Sequence, residues 1–400
     1  MKVYLIGTGA DGRGTLTAEA AEKIAQAELL IGAKRMLAPY MDSGKELACL
    51  YHPERIAEVL RNSAADCAAV LLSGDSGFFS GAKNLLPHLS DMDAVMLPGI
   101  SSMSAFCAKC GISYENMRFI SLHGTSANIA VHAKMNRLCF FLLGGDMTAA
   151  AVCQQLTAYG LGEIRVHIGM NLGYENEQIL HGRASDFFSL PNETLTVIIT
   201  ENADYWRFIP SAIPDSDFIR GKIPMTKAEI RCNAVAALNI THEAVVWDIG
   251  CGTGSVAVET AFRCPDGQVY AFDCKEEAVH LTEQNAIHFS CDNITAINGY
   301  CPDILRDYPA PDAVFIGGSG GELPGIFALI AEKNPKAVIA LTAVSLETLA
   351  QAVPLFEQYC NAYQTVQIAV TRTKQIGSHT MFDAQNPVWL ISGGFGCSAY

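Results

Sequence analysis

The sequence is short of charge, and the charge it has leans one way. Only 17% of the 400 residues are charged, and 27 Lys and Arg face 41 Asp and Glu, a formal net charge of −14. Binding nucleic acid or anionic membranes requires clustered cations to meet phosphates, so neither partner is expected. A local basic pocket for a small anion stays compatible with the composition. No apolar run reaches the ~18 residues that a membrane span requires. The start MKVYLIGTGADG holds too short an apolar stretch for a signal-peptide core. A cytoplasmic protein is therefore expected. Long low-complexity and like-charge runs are missing too, and half the residues are apolar, as in an ordinary folded chain. The 14 cysteines, scattered from Cys49 to Cys397, lack the regular spacing of a disulfide framework. They read as reduced thiols, mostly small buried apolar residues. Cys107 and Cys110 form C-x-x-C in AFCAKCG. Redox or metal chemistry there would need a thioredoxin-like context or a second ligand pair, and the neighbouring sequence supplies neither. The pair is read as two helix-face cysteines one turn apart, and no metal site is expected.

At a prior of roughly 150 residues per domain, this length suggests two or three domains. Short β-rich runs closed by glycine, KVYLIGTG, AAVLLSG, DAVMLPG and RFISLHG, alternate with helical patterns. That alternation predicts a parallel α/β sheet. Further strands are expected at RLCFFLLGG, RVHIGMNLG and LTVIIT. Between about Ala203 and Pro224 three prolines, Pro210, Pro214 and Pro224, interrupt any regular pattern, which places a boundary there. A second alternation then starts afresh, with a helix at TKAEIRCNAVAAL and strands at AVVWDIG, QVYAFD, ITAINGY, DAVFIGG and AVIALTA. The expected division is 1–202, with lobes of about 1–112 and 113–202, a linker at 203–221, and a second domain at 222–400.

The densest signal is WDIGCGTGS. Gly250, Gly252 and Gly254 allow a tight strand-to-helix turn that brings backbone close to a ligand, and the helix starting near Ser255 aims N–H groups there. Asp248 stands two residues before Gly250, where a pyrophosphate-binding fingerprint does not usually place an acid. Asp273 ends the next strand, about 20 residues beyond the loop, the place for a carboxylate gripping ribose hydroxyls. The spacing D-x-G-x-G-x-G differs from the G-x-G-x-x-G of dinucleotide binding, which disfavours a nicotinamide dehydrogenase.

This combination resembles the cofactor loop of class I S-adenosylmethionine methyltransferases, where an anion at Asp248 suits a cationic amino-acid cofactor. Across 222–396, PMTKAEIR, DIGCGTGSVAVE, DAVFIGGSGG, VSLETL and TMFDAQNPVWLISG resemble, in order, the decarboxylating precorrin methyltransferase domain of cobalamin biosynthesis. The resemblance implies S-adenosylmethionine held by Thr226, by the loop Gly250, Cys251, Gly252, Thr253 and Gly254, by Asp273 and by Cys301. The sequence departs from the family at NGYCP, where Tyr300 stands in place of an acid.

The first half resembles the class III tetrapyrrole methylases, in the precorrin-6Y branch, through VYLIGTGADG, LLSGDSGFF, LPGISSMSAF, SLHG and GMNLGYENEQI. That resemblance implies a two-lobed α/β fold with S-adenosylmethionine among loops after several strands, contacted by Ala10, Gly74, Asp75, Phe78, Ser101, Ser102, Leu143 and Leu172. Family members often carry proline at the positions of Ala10 or Ser76. Ordinary turn chemistry is the competing reading for Asp75 and Ser101.

Together the two resemblances imply a class III fold followed by a Rossmann-like class I fold, self-association of both, and methylation of a precorrin or cobalt-precorrin at carbons 5 and 15 with loss of the ring C acetate carboxylate. A meso carbon of a reduced tetrapyrrole is an enamine-like nucleophile, so alignment and exclusion of water are the main demands on the protein. No strong nucleophile is required, and no catalytic residue is singled out. Substrate-side candidates are Ser319 in GGSGG, Thr342, Glu347, and Arg372, Lys374 and His379 in RTKQIGSHT, where the two cations could pair with ring carboxylates. A solvated edge strand explains the last three equally simply. In the first half His123 and Arg118 stay open. Two other readings stand at this point: a methyltransferase fusion for another acceptor, and a non-catalytic corrinoid or S-adenosylmethionine sensor.

Overall fold

The computed structural model describes residues 1–9, 14–123, 127–145, 147–191, 195–207, 209 and 211–395. The chain forms two compact units, one of Met1–Ser126, Leu138–Val152 and Ile164–Glu201, the other of Ala127–Arg137, Cys153–Glu163 and Asn202–Tyr400.

Unit 1 holds two sheets. The first contains β1 (Lys2–Gly7), β2 (Leu29–Gly32), β3 (Glu46–Cys49), β4 (Cys67–Leu72) and β5 (Asp93–Leu97), in the order β3-β2-β4-β1-β5 with every pair parallel. Strands of such a sheet are covered on both faces and read as unbroken apolar runs. Accordingly Val3 and Leu5 join one core while Tyr4 and Ile6 join the other. The second sheet contains β6 (Arg118–Ser121), β7 (Leu138–Leu142), β8 (Arg165–Met170), β9 (Gln178–Arg183) and β10 (Thr196–Glu201), in the order β6-β7-β10-β8-β9. Only β6 and β7 pair in parallel; the remaining pairs are antiparallel. RFISLHG therefore opens a second, mixed sheet and does not extend the first.

Unit 2 is built on β11 (Val245–Ile249), β12 (Gln268–Asp273), β13 (Ile294–Asn298), β14 (Ala313–Ile316), β15 (Val338–Ala343), β16 (Ala362–Ile368), a hairpin of β17 (Thr371–Ile376) and β18 (His379–Ala384), and β19 (Val388–Gly394). Seven of these form one sheet in the order β13-β12-β11-β14-β15-β19-β16, parallel from β13 to β15, with β19 running antiparallel to both its neighbours. Alternate residues of β11 feed separate cores: Val246 packs with Val256 and Val269, and Trp247 with Phe272 and Phe327.

Among its described residues the proline-rich stretch carries no strand, but several of them are held firmly. Ile213 and Phe218 are buried in the core of unit 2, and the Trp206 ring lies 4.5 Å from that of Phe262. Ile213 N–H donates to Glu259 and Ile213 C=O accepts from Arg231, while Asn285 bonds both backbone groups of Ile219. Side chains thus supply the partners that a ladder would otherwise give these backbone groups. Every described cysteine is a free thiol, and burial pushes several upward: Cys107 to about 11, Cys139 and Cys264 to about 12. Among the described residues no helix is long and apolar enough to cross a membrane.

Candidate active site

In unit 2 the strand order reverses at β11, between β12 on one side and β14 on the other. Connections leaving the carboxyl ends of β11 and β14 diverge there, and a crevice opens. The loop after β11 is shaped by sterics. Gly250 and Gly252 have φ of 73° and 59°. A Cβ on Gly250 would lie 2.6 Å from the Gly318 backbone, and one on Gly252 would lie 2.8 Å from the Pro224 carbonyl oxygen. Both conformation and close approach restrict these positions to glycine.

The resulting cleft has a volume of about 650 Å³. It gathers Thr226, Gly250, Cys251, Gly252, Asp273, Cys301, Ser319 and Thr342 from the residues expected at the site, together with Ile223, Met225, Ile249 and Phe272 as apolar wall. Asp273 ends β12 with its carboxylate fixed by two backbone donors, Gly252 N–H at 3.1 Å and Lys275 N–H at 3.0 Å. Thr226 is held from beneath by Arg231, fully buried, whose Nη1 donates to the Thr226 carbonyl at 2.6 Å and whose Nε donates to Glu259 at 2.6 Å. Burial pushes the Cys301 thiol up to about 12 and the Cys251 thiol well above its ordinary value. Those two thiols are neutral and serve as soft wall.

Three loop residues expected to touch a cofactor do not line the cleft. Asp248 is fully buried beneath the loop; its Oδ2 accepts from Ala257 N–H at 2.9 Å, and its Oδ1 has no partner among the described residues. An acid at this strand end finds the first turn of the helix Ser255–Ala261 closer than any ligand, and fixes the loop from behind. Burial, aided by Asp273, raises its pKa to about 7 against the opposing Ala257 hydrogen bond. Thr253 is also fully buried, its carbonyl accepting from Asn285, and Gly254 turns the chain with φ of 72° against Thr282.

The hairpin candidates stand apart from the cleft as well. Arg372 donates to Glu229 at 2.8 Å and to Asp215 at 3.1 Å, and Lys374 pairs with Asp383 at 2.7 Å. His379 and Glu347 are exposed and do not line the cleft. Both candidate cations for ring carboxylates are engaged by acids of their own chain. Sequence reasoning overlooked Lys227 and Lys275, two cations that do line the cleft. Both directly precede a helix, Ala228–Ala237 and Glu276–His288, and read only as flanking charge.

Unit 1 has a second cleft of about 240 Å³. It gathers Gly74, Asp75, Phe78, Ser101, Ser102, Leu143 and Leu172; Ala10 lies outside the described residues. Gly9 and Gly74 exchange both backbone hydrogen bonds, at 2.9 and 3.0 Å, which joins the loops after β1 and β4. Asp75 accepts from Gly99 N–H at 3.1 Å, and Ser101 caps the helix Ser102–Cys110 through Ser104 N–H at 3.0 Å. Both therefore do turn work and also face the cleft. His123 lines it too, and Arg118 does not. Arg35, Tyr174 and Thr196 also line it and were not singled out as site residues in the sequence. Arg35 follows β2, a four-residue strand inside a helix-like stretch, and donates to Ser73 Oγ at 3.0 Å.

A parallel sheet reversing at a glycine turn, with a fixed carboxylate at the end of the adjacent strand and apolar walls between, defines the second unit as a class I methyltransferase of the S-adenosylmethionine-dependent kind. The donor set fits that cofactor: Asp273 for hydroxyls, close-approaching backbone at Gly250 and Gly252, and Ile249 and Phe272 for apolar parts. Comparison with known proteins agrees. Residues 218–392 match the family model described as precorrin methyltransferase domain, and residues 2–187 that of tetrapyrrole (corrin/porphyrin) methylases. A probable cobalt-precorrin-6B C(15)-methyltransferase (decarboxylating) of Pyrobaculum calidifontis is 40% identical over 190 residues, 47% of this chain and 97% of the relative. A precorrin-6Y C(5,15)-methyltransferase [decarboxylating] of a Sinorhizobium species is 28% identical over 96% of this chain and 94% of its own. A crystal structure of a precorrin-6Y C5,15-methyltransferase from Geobacter metallireducens shares 33% identity, covering 46% of this chain and 99% of that one, with a TM-score of 0.44. The chain belongs to the decarboxylating precorrin methyltransferase family.

Proposed function

We propose that this enzyme methylates a precorrin ring twice: at carbon 5 in the cleft of unit 1, and at carbon 15, with loss of the ring C acetate carboxylate, in the cleft of unit 2. The observation that carries the reading is similarity along 96% of the chain to a relative named for both carbons, which spans both clefts. S-adenosylmethionine supplies an already activated sulfonium methyl. The residues of the chain then have two tasks, to orient and to keep water out. Asp273 grips hydroxyls from a position fixed by Gly252 and Lys275, and Thr226 closes the opposite wall on the Arg231 brace. Ser319, from the loop after β14, and Thr342, near the end of β15, face the acceptor. Lys227 and Lys275 offer charge to the ring carboxylates. Electrons left by decarboxylation pass into the conjugated ring, so the substrate acts as its own sink. In unit 1 Asp75, Ser101 and Ser102 hold the cofactor and Arg35 meets substrate carboxylate. The same reading assigns the two reactions to residues 1–202 and 222–400, and places the enzyme, self-associated, in the cytoplasm, where its free thiols stay reduced.

The test is mass spectrometry of metal-free and cobalt-loaded precorrin-6Y-type rings after incubation with the protein and S-adenosylmethionine. Gain of two methyl groups with loss of one carbon dioxide is expected, and the form that turns over identifies the native substrate. Unchanged mass in both forms, with cofactor binding demonstrated, would overturn the reading.

A further inference from the structure

Outside both clefts, unit 1 brings together three groups that the sequence keeps far apart. Cys110 is the last residue of the helix Ser102–Cys110, ended by Gly111 at φ of 67°. His167 and His181 face each other directly across β8 and β9. One ligand atom from each of the three lies within 4.8 Å of the others, and the two imidazole Nδ1 atoms are 2.7 Å apart. An ion pair between Lys109 and Glu177, at 2.6 Å, ties the end of the helix to the turn leading into β9. The C-x-x-C motif thus lacks a second ligand pair in sequence but acquires one in space, and only its second cysteine takes part. Cys107 is buried in the neighbouring apolar core.

We infer that Cys110, His167 and His181 form a binding site for a divalent transition ion of the zinc class, with the fourth position open to solvent. One thiolate and two imidazoles are the donors that suit zinc or cobalt(II), and no carboxylate among them favours calcium or magnesium. His167 is prepared for ligation. Its outer nitrogen, Nε2, is buried without a hydrogen bond among the described residues and faces the Glu201 carboxylate at 3.8 Å. A carboxylate behind a histidine favours the proton on Nε2 and leaves Nδ1 to the ion, the usual arrangement behind metal-bound histidine. Two nitrogens bound to one tetrahedral zinc stand about 3.3 Å apart for Zn–N bonds of ~2.0–2.1 Å. The pair must therefore open by several tenths of an ångström, which His181 can supply because it is exposed on the edge strand β9. Entry of the ion displaces the Cys110 thiol proton to solvent.

The experiment uses the full chain, stripped of metal, titrated with cobalt(II) as the spectroscopic probe and then with zinc. The expected result is a thiolate-to-cobalt charge-transfer band with tetrahedral visible absorption, abolished by one equivalent of zinc, and a rise in melting temperature on adding zinc. In Cys110→Ser the charge-transfer band disappears, and in His181→Ala zinc affinity falls about ten-fold or more. Circular dichroism of each variant separates ligand loss from misfolding, and His181 lies on the surface, where replacement leaves the core intact. Absence of the band in the unaltered chain would overturn the site. So would a band of unchanged intensity in both variants, which would place the ion on other thiols.

Discussion

Asp248 and Asp273 end adjacent parallel strands, yet their surroundings give them opposite tasks. Asp273 is half-exposed and accepts two backbone N–H groups, so it presents a fixed anion to the cleft. A charge-assisted hydrogen bond contributes about 1.5–3 kcal/mol, and Asp273→Asn should weaken S-adenosylmethionine binding in unit 2 roughly 10- to 100-fold. Isothermal titration checks this; an affinity within about two-fold of the unaltered chain would remove Asp273 from the site. Asp248 has no solvent and one N–H, and its pKa rises from 3.8 to about 7. Because the folded value lies above the unfolded one, the unfolded chain releases this proton first as pH rises. Its contribution is fully present below about pH 4 and is lost as pH rises toward 7. Asp248→Asn removes that slope, so the variant should gain stability relative to the unaltered chain between pH 5 and pH 8. Parallel urea midpoints for the two proteins across that range would contradict it.

At the scale of elements, the sheet of unit 2 is anchored to the stretch before it by one buried cation. Arg231 bonds Glu259, Asp215 and the carbonyls of Ile213 and Thr226, and its guanidinium lies 4.7 Å from the Phe218 ring centre. Removing one partner of a buried pair leaves the other charge uncompensated, at a cost of about 3–5 kcal/mol. Arg231→Met should destabilise unit 2 by about that amount, and adding Glu259→Leu should recover a large part, because the two costs share one cause. Denaturant melts of single and double variants measure it, and additive losses would dismiss the coupling. This brace also marks where sequence reading ends. Strands β1, β4, β5 and β11 to β15 are legible because each is an apolar run closed by glycine or a polar turn. Strand β2 is not: its four residues, Leu29–Gly32, sit inside a long helix-like stretch. Strands β16 to β18 are mostly exposed and lack an apolar signature. Likewise the cleft-lining glycines and Asp273 could be read from spacing, whereas the burial of Asp248 depends on packing in the folded sheet, and the engagement of Arg372 depends on Glu229, far away in the sequence.

For the whole molecule, the proposed function with one reaction in each of two clefts of separate residue sets requires that the reactions can be lost one at a time. Asp273→Ala acts only on the cleft of unit 2, and Asp75→Ala only on that of unit 1, since no residue lines both. With a precorrin-6Y-type ring, at least one of these variants should accumulate a singly methylated product, whichever reaction comes second being the one that stalls cleanly. An equimolar mixture of the two variants should restore double methylation with decarboxylation, because each contributes the cleft the other lacks and the partly processed ring can pass through solvent. Product masses over time read both outcomes. If each variant alone abolished every mass change and the mixture stayed inactive, the two clefts would have to operate as one site, and the assignment of one methylation to each unit would fall.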